Sequence, residues 1–214
     1  MTMHTPLFQR QAATVLLALL ATLSHSAYSQ TSPHNLTTSE QATETAEAPR
    51  PAPRYLLQNS DGRAVMPTDF KDRFQLIAFG YISCPDVCPT TMAEMQQVLQ
   101  ALGPRAKYLQ PIFISVDPQR DTLAVLGAYT ANFDKRIMGL TGSETLLRFA
   151  ANNFNVTYTK IHEPGAGPNV YTVDHTAGMF LLGPDGQLLK KFGYSTPVDR
   201  ITQEIEQWMS ADKK

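Results

Sequence analysis

The sequence predicts an α/β domain in which helices pack on a layered sheet that carries a β-hairpin at one edge. Three observations lead there. Residues 75–81 (QLIAFGY) and 111–116 (PIFISV) are nearly continuous apolar runs, as expected of strands buried on both faces. A helical pattern follows each of them. A strong turn, Gly183-Pro184-Asp185-Gly186, then joins two more strand patterns before a last helix.

The elements follow in chain order. Residues 1–29 hold one fixed cation, Arg10, then an apolar run over residues 12–23, then small and polar residues. That is the pattern of a signal peptide. The run is short of the roughly 20 residues that span a bilayer, so a short membrane anchor is the second reading. Residues 30–53 are rich in Thr, Ser, Ala, Glu and Pro, and Pro49, Pro51 and Pro53 alternate near the end. This composition predicts a flexible, partly extended linker. The domain is then expected over residues 54–214.

Within it, Ser60-Asp61-Gly62 lies between residues 55–57 and 64–65 as an N-terminal hairpin signal. The strand at 75–81 runs into a cysteine motif and a helix at 89–102, whose stripe is Met92, Met95, Leu99 and Leu102. After the strand at 111–116, Asp121 is a candidate cap for a helix to about Phe133. Thr141-Gly142-Ser143-Glu144 reads as a capping box for a further helix. Strands are expected at 178–182 and 187–192. A final helix starts near Pro197, with Thr196 as cap and Ile201, Ile205 and Trp208 as its buried stripe. A buried strand running directly into a Cys-bearing turn and a helix is the thioredoxin arrangement. The N-terminal hairpin and a helical insertion enlarge it.

The net charge of -1 and the lack of any basic stretch exclude an electrostatic footprint for nucleic acid. The chain has 2 cysteines, Cys84 and Cys88, each followed by proline. Export would place them where thiols can be oxidised. A disulfide between them would close a very short loop and stabilise little, so the pair points to chemistry. Either the thiols form a redox couple or they clamp a soft metal. Proline biases the preceding residue away from the α region, which predicts both cysteines in a loop at the helix mouth. Pro89 suits the first helical position, leaving Cys88 near the N-cap. The helix N-terminus there favours the thiolate.

His175, in Tyr171-Thr172-Val173-Asp174-His175-Thr176, precedes the strand expected beside the Cys-bearing helix. Thioredoxin-like folds usually hold a proline in that loop; this one offers Asp174 and His175. A lone histidine is as readily an ordinary polar residue as a ligand, but a place facing two thiols favours the ligand. Two cysteines and a histidine suit copper, since thiolates are soft and imidazole serves both copper states. Asp86 and Asp174 are candidates to orient the histidine or tune the metal. Asp86 could equally be a solvated turn residue. Asp117-Pro118-Gln119-Arg120-Asp121 lies at the carboxyl end of its strand, where α/β sheets place sites, or is simply a turn with a cap. Met92, Met95 and Met179 have core phasing. His162, beside Glu163, is a weaker alternative ligand. A peroxidase is a third class, but no arginine is placed by motif beside the thiols.

The chain resembles the Sco/SenC family of cytochrome oxidase assembly proteins. The resemblance rests on Cys84-Pro85-Asp86-Val87-Cys88-Pro89, Ser115-Val116-Asp117-Pro118-Gln119-Arg120-Asp121-Thr122, Gly139-Leu140-Thr141-Gly142, and Val173-Asp174-His175-Thr176 leading into Gly183-Pro184-Asp185-Gly186. It implies one copper ion, Cu(I) or Cu(II), held by Cys84, Cys88 and His175. It also implies delivery of copper to the dinuclear site of an oxidase subunit, or reduction of that site's thiols. The implied partners are the copper-bearing oxidase subunit or another copper chaperone. The implied place is the periplasm or the outer face of the inner membrane, with a possible N-terminal tether. The alternative function is a thiol–disulfide oxidoreductase cycling Cys84 and Cys88. Their three-residue spacer differs from the usual two, which mildly favours metal.

Overall fold

The computed structural model describes residues 52–211 apart from 163, 166 and 168. The expected signal or anchor at 1–29 and nearly all of the expected linker lie outside the described residues, as does Glu163. Among the described residues no helix is long and apolar enough to cross a membrane.

The hairpin forms as expected: β1 (Leu57–Gln58) pairs antiparallel with β2 (Ala64–Val65). The Asn59 side chain accepts from the Asp61 and Arg63 backbone N–H groups, which tightens the turn. The main sheet is built on β3 (Phe74–Gly80) and β4 (Leu109–Ser115), which pair in parallel and are buried at every residue. A third parallel strand, β5 (Met138–Leu140), lies outside β4. On the other side of β3, β8 (Met179–Leu182) and β9 (Leu188–Phe192) pair antiparallel and close the edge as the expected hairpin. The order is β5-β4-β3-β8-β9.

Alternation along β3 sends neighbouring residues to opposite faces. Gly80 faces helix α1 (Val87–Leu102), because a Cβ there would meet Cys88. Phe79 faces the other way, against Phe154 and Phe180, with ring centroids 5.4 and 6.1 Å away. Phe154 ends α3 (Glu144–Asn153), so α1 and α3 cover opposite faces. Helices α2 (Leu123–Phe133) and α4 (Val198–Ala211) flank α1. Met92, Met95, Leu99 and Leu102 are buried as the stripe predicts, and Met179 is a core residue.

Several sequence expectations need correction. Helix α1 begins at Val87 with Asp86 as N-cap, so Cys88 lies inside the first turn and Pro89 is the third helical residue. Proline fits there because the first-turn N–H groups have no intrahelical partner anyway. Helix α2 is capped by Thr122, whose side chain accepts from the Val125 N–H; Asp121 is turned inward and buried. Helix α3 is capped by Ser143, accepting from the Leu146 N–H, while Thr141 pairs its backbone with Gln58. Trp208 is 39% exposed; the buried stripe of α4 is Ile201, Thr202, Ile205 and Met209, and Trp208 flanks it.

A separate two-stranded sheet was not foreseen: β6 (Tyr158–His162) pairs antiparallel with β7 (Tyr171–His175). Tyr171 and Val173 are buried and alternate with exposed Thr172 and Asp174, the period-2 signature of a half-buried strand.

Candidate metal centre

Cys84 comes from the β3–α1 connection, Cys88 from the first turn of α1, and the imidazole from the end of β7, just before β8. Since β8 pairs with β3, all three converge at one end of the central strand. Cys84, Cys88 and His175 place their Sγ and ring nitrogen atoms within 4.8 Å of one another. Two donors at about 2.0–2.3 Å from one ion stand at most about 4.6 Å apart, so small side-chain adjustments bring this set onto a single ion. Both cysteines are free thiols. Cys88 Sγ lies 3.5 Å from His175 Nε2 and accepts from the Tyr81 N–H at 3.5 Å. His175 Nδ1 lies 3.1 Å from the Thr176 carbonyl oxygen, a placement that assigns the proton to Nδ1 and leaves Nε2 free toward the thiols.

The two thiols differ electrostatically. Burial pushes the Cys84 thiol up, but the backbone N–H groups of Asp86, Cys88 and Val87, with the Cys88 thiol, outweigh it and hold it below the ordinary thiol value. That is the helix N-terminus acting on a partly exposed sulfur. Cys88 is buried, and burial dominates: its thiol is pushed far up, helped by Cys84 and Asp121 and opposed by the Tyr81 N–H. Gly80 makes room for it, since a Cβ there would lie 2.6 Å from Cys88 Sγ.

Of the other candidates, Asp86 is the exposed N-cap of α1 and Asp174 an exposed residue of β7. Neither carboxylate is the group that fixes the His175 ring; the Thr176 carbonyl holds that place. His162, at the far end of β6, lies against Tyr171 with centroids 5.2 Å apart and is not in the donor set.

The Asp117–Asp121 segment is more than a turn. Asp121 accepts from the Ile82 N–H at 3.0 Å and the Ser115 hydroxyl at 2.5 Å, pinning the loop that leads to Cys84. Burial raises its carboxyl above the ordinary range despite those bonds. Asp117, fully buried, accepts from the Tyr171 hydroxyl at 2.8 Å and is ion-paired with Arg120.

Sequence reasoning missed Tyr81 and the role of Arg120. Tyr81 packs edge-on against His175, centroids 6.0 Å apart at 87°, and its hydroxyl faces the Val173 N–H and the Cys84 thiol. The Arg120 guanidinium stands over the Tyr81 ring at 5.6 Å. An aromatic directly after a buried strand and two residues before the Cys motif was the available signal. Arg120 lay inside the Asp117–Asp121 segment that the pattern singled out, but nothing there gave it a partner or a role.

A thioredoxin-like sheet with two thiols and an imidazole converging at one strand end defines a dithiol protein with a soft-metal donor set. The chain belongs to the SCO1/SenC family, whose model matches residues 43–210. It is 34% identical over 163 residues to the mitochondrial SCO2 homolog of mouse, covering 73% of this chain and 62% of that protein. The match thus spans about three-fifths of that relative's length. Among solved structures it is similar to Bradyrhizobium japonicum ScoI with copper bound, at 33% identity and a TM-score of 0.66 over 73% of this chain and 98% of that one. It is also similar to BsSco, a member of the Sco family of cytochrome c oxidase assembly proteins in which a disulfide switch was identified. That likeness has 26% identity and a TM-score of 0.55, over 73% of this chain and 92% of the other.

Proposed function

We propose that this protein binds one copper ion through Cys84, Cys88 and His175 and hands it to the copper-bearing subunit of cytochrome c oxidase, directly or by way of another copper chaperone. The observation that carries the reading is the convergence of three donor atoms within 4.8 Å. Two thiolates and one imidazole match the softness of copper, and an ion there would sit near the surface, since Cys84 and His175 are both partly exposed. Copper is the cargo in this reading. The chain's own groups hold it: Cys84 as the thiol that ionises more easily, Cys88 as a buried thiol that gives up its proton, and His175 through Nε2. Asp86 and Asp174 are surface carboxylates near these ligands in the chain that favour an approaching cation. We place the domain, residues 54–214, outside the cytoplasmic membrane, with 1–29 as export signal or anchor and 30–53 as tether.

The test is copper loading of the reduced full chain and of His175→Ala. One copper per chain, with affinity lost by at least about tenfold in His175→Ala, supports the reading. Equal affinity in the two proteins sinks the three-ligand site.

A second reading has its own observation, the asymmetry of the thiols. The Cys84 thiolate would attack a partner disulfide, and Cys88 would then resolve the mixed disulfide. The partner leaves as a dithiol, and this chain is oxidised to the Cys84–Cys88 disulfide. Regeneration would need an external thiol reductant.

A further inference from the structure

We propose that Arg120 is a positioning residue for His175, acting through Tyr81 and strand β7. The inference rests on the copper reading above.

His175 needs such support. It is the last residue of β7, and β7 pairs only with β6, outside the five-stranded sheet that carries the cysteines. The backbone ladder therefore does not fix the distance between imidazole and thiols. Beyond the short link from His175 to β8, side chains tie β7 to the β3–β4 core. Arg120 makes the tie at three points. Its Nη1 donates to the Tyr171 carbonyl oxygen at 3.0 Å, at the start of β7. Its guanidinium stacks 3.8 Å over the Tyr171 ring. Its Nε donates to Asp117, which also accepts from the Tyr171 hydroxyl. The Asp117 N–H donates to Ser115 Oγ at the end of β4, so the chain of contacts ends in the central sheet.

The same guanidinium also lies over Tyr81. Tyr81 is the wall against which the imidazole rests, and its backbone N–H donates to Cys88 Sγ. Arg120 thus holds both the strand that carries His175 and the ring that limits its rotation. It does not itself reach the donor atoms. Lys160 lies 4.8 Å from the Tyr171 ring and 3.8 Å from Asp117, so Asp117 keeps a cation nearby if Arg120 changes. A lysine at 120 would keep the charge too. It could not stack in a plane while donating to two acceptors.

The experiment uses the reduced full chain, with copper affinity by chelator competition, the nitrogen coupling in the Cu(II) electron paramagnetic resonance spectrum, and the Cys84/Cys88 reduction potential. The variants are Arg120→Lys and the double change Arg120→Gln with Asp117→Asn, which removes the half-buried cation and its buried carboxylate together so that no carboxylate is stranded. Both should lose copper affinity by about 10–100-fold and alter the nitrogen coupling, with the dithiol potential unchanged. Wild-type affinity and nitrogen coupling in either folded variant overturn the inference. So does a loss of affinity matched by a shift in dithiol potential, which marks a general disturbance. If His175→Ala binds copper like the wild type, the copper reading itself has failed. If His175→Ala is impaired and Arg120→Lys is not, only the role of Arg120 has.

Discussion

Gly80→Ala tests the packing behind the site. A methyl at position 80 would lie 2.6 Å from Cys88 Sγ and 2.7 and 2.9 Å from two ring carbons of Phe113. Non-bonded carbons rest at about 3.5–4.0 Å, so these neighbours must retreat by about 1 Å. Neither has space: both are buried, and the Phe113 ring also packs on Tyr129, centroids 5.8 Å apart. Overpacking of this kind costs about 1–3 kcal/mol. For a protein of this size that lowers Tm by about 2–12 °C. The sulfur is the easier group to displace, because Cys88 sits at a helix end while Phe113 lies mid-strand. The thiol should therefore leave its contacts with the Tyr81 N–H and His175 Nε2, and copper affinity should fall by about 10–100-fold. Thermal melting and chelator competition read the two effects. Gly193→Ala is the control, since the only neighbour of a Cβ there is Thr196 Oγ1 at 4.0 Å, an ordinary contact. Wild-type melting and affinity in Gly80→Ala would refute the claim that this glycine exists to seat the thiol.

The asymmetry of the cysteines predicts their order of reaction. At neutral pH iodoacetamide should modify Cys84 before Cys88, because Cys84 is partly exposed with a lowered thiol pKa and Cys88 is buried with a raised one. Peptide mass mapping checks this, and equal labelling of the two would contradict it. The raised Cys88 value also sets the sign of a pH effect on copper binding. Below that value the thiol keeps its proton, which the metal must displace, and rising pH weakens this competition. Copper affinity should therefore climb by at least about tenfold per pH unit between about pH 7 and 9, and a flat profile would count against Cys88 as a ligand.

The parts of the fold legible in the sequence were those fixed by local pattern. The two continuous apolar runs are the central strands, and the methionine stripe of α1 is buried. The turn at Gly183–Gly186 joins β8 and β9, with Gly186 at φ +80. The cysteine pair and His175 were legible because their residue types are rare and chemically narrow. The caps were misplaced for a reason the sequence does not carry. Asp121 and Thr122 are adjacent and both can cap, and which one does depends on a tertiary partner, the Ile82 N–H, that claims the carboxylate. Strands β6 and β7 were obscured because β6 buries only Tyr158 firmly and leaves Ile161 47% exposed. The role of Arg120 was illegible because it arises from stacking on Tyr81 and Tyr171, residues far from it in the chain.

The position of His175 explains how a redox scaffold can become a metal site with little change elsewhere. The dithiol geometry comes from β3, the helix N-terminus of α1 and the space left by Gly80, none of which involves the histidine. The loop before β8 faces that dithiol because β8 pairs with β3. A side chain placed there meets the thiols whatever its chemistry, and an imidazole there offers a third donor. Holding it is the harder task, since β7 lies outside the main sheet. The Asp117–Arg120–Tyr171 contacts do that work from the carboxyl end of β4, and Asp121 holds the cysteine loop from the same segment. One short stretch of chain therefore braces both halves of the site. Substitutions in it should disturb copper binding with either cysteine-like or histidine-like signatures, according to which carboxylate they touch.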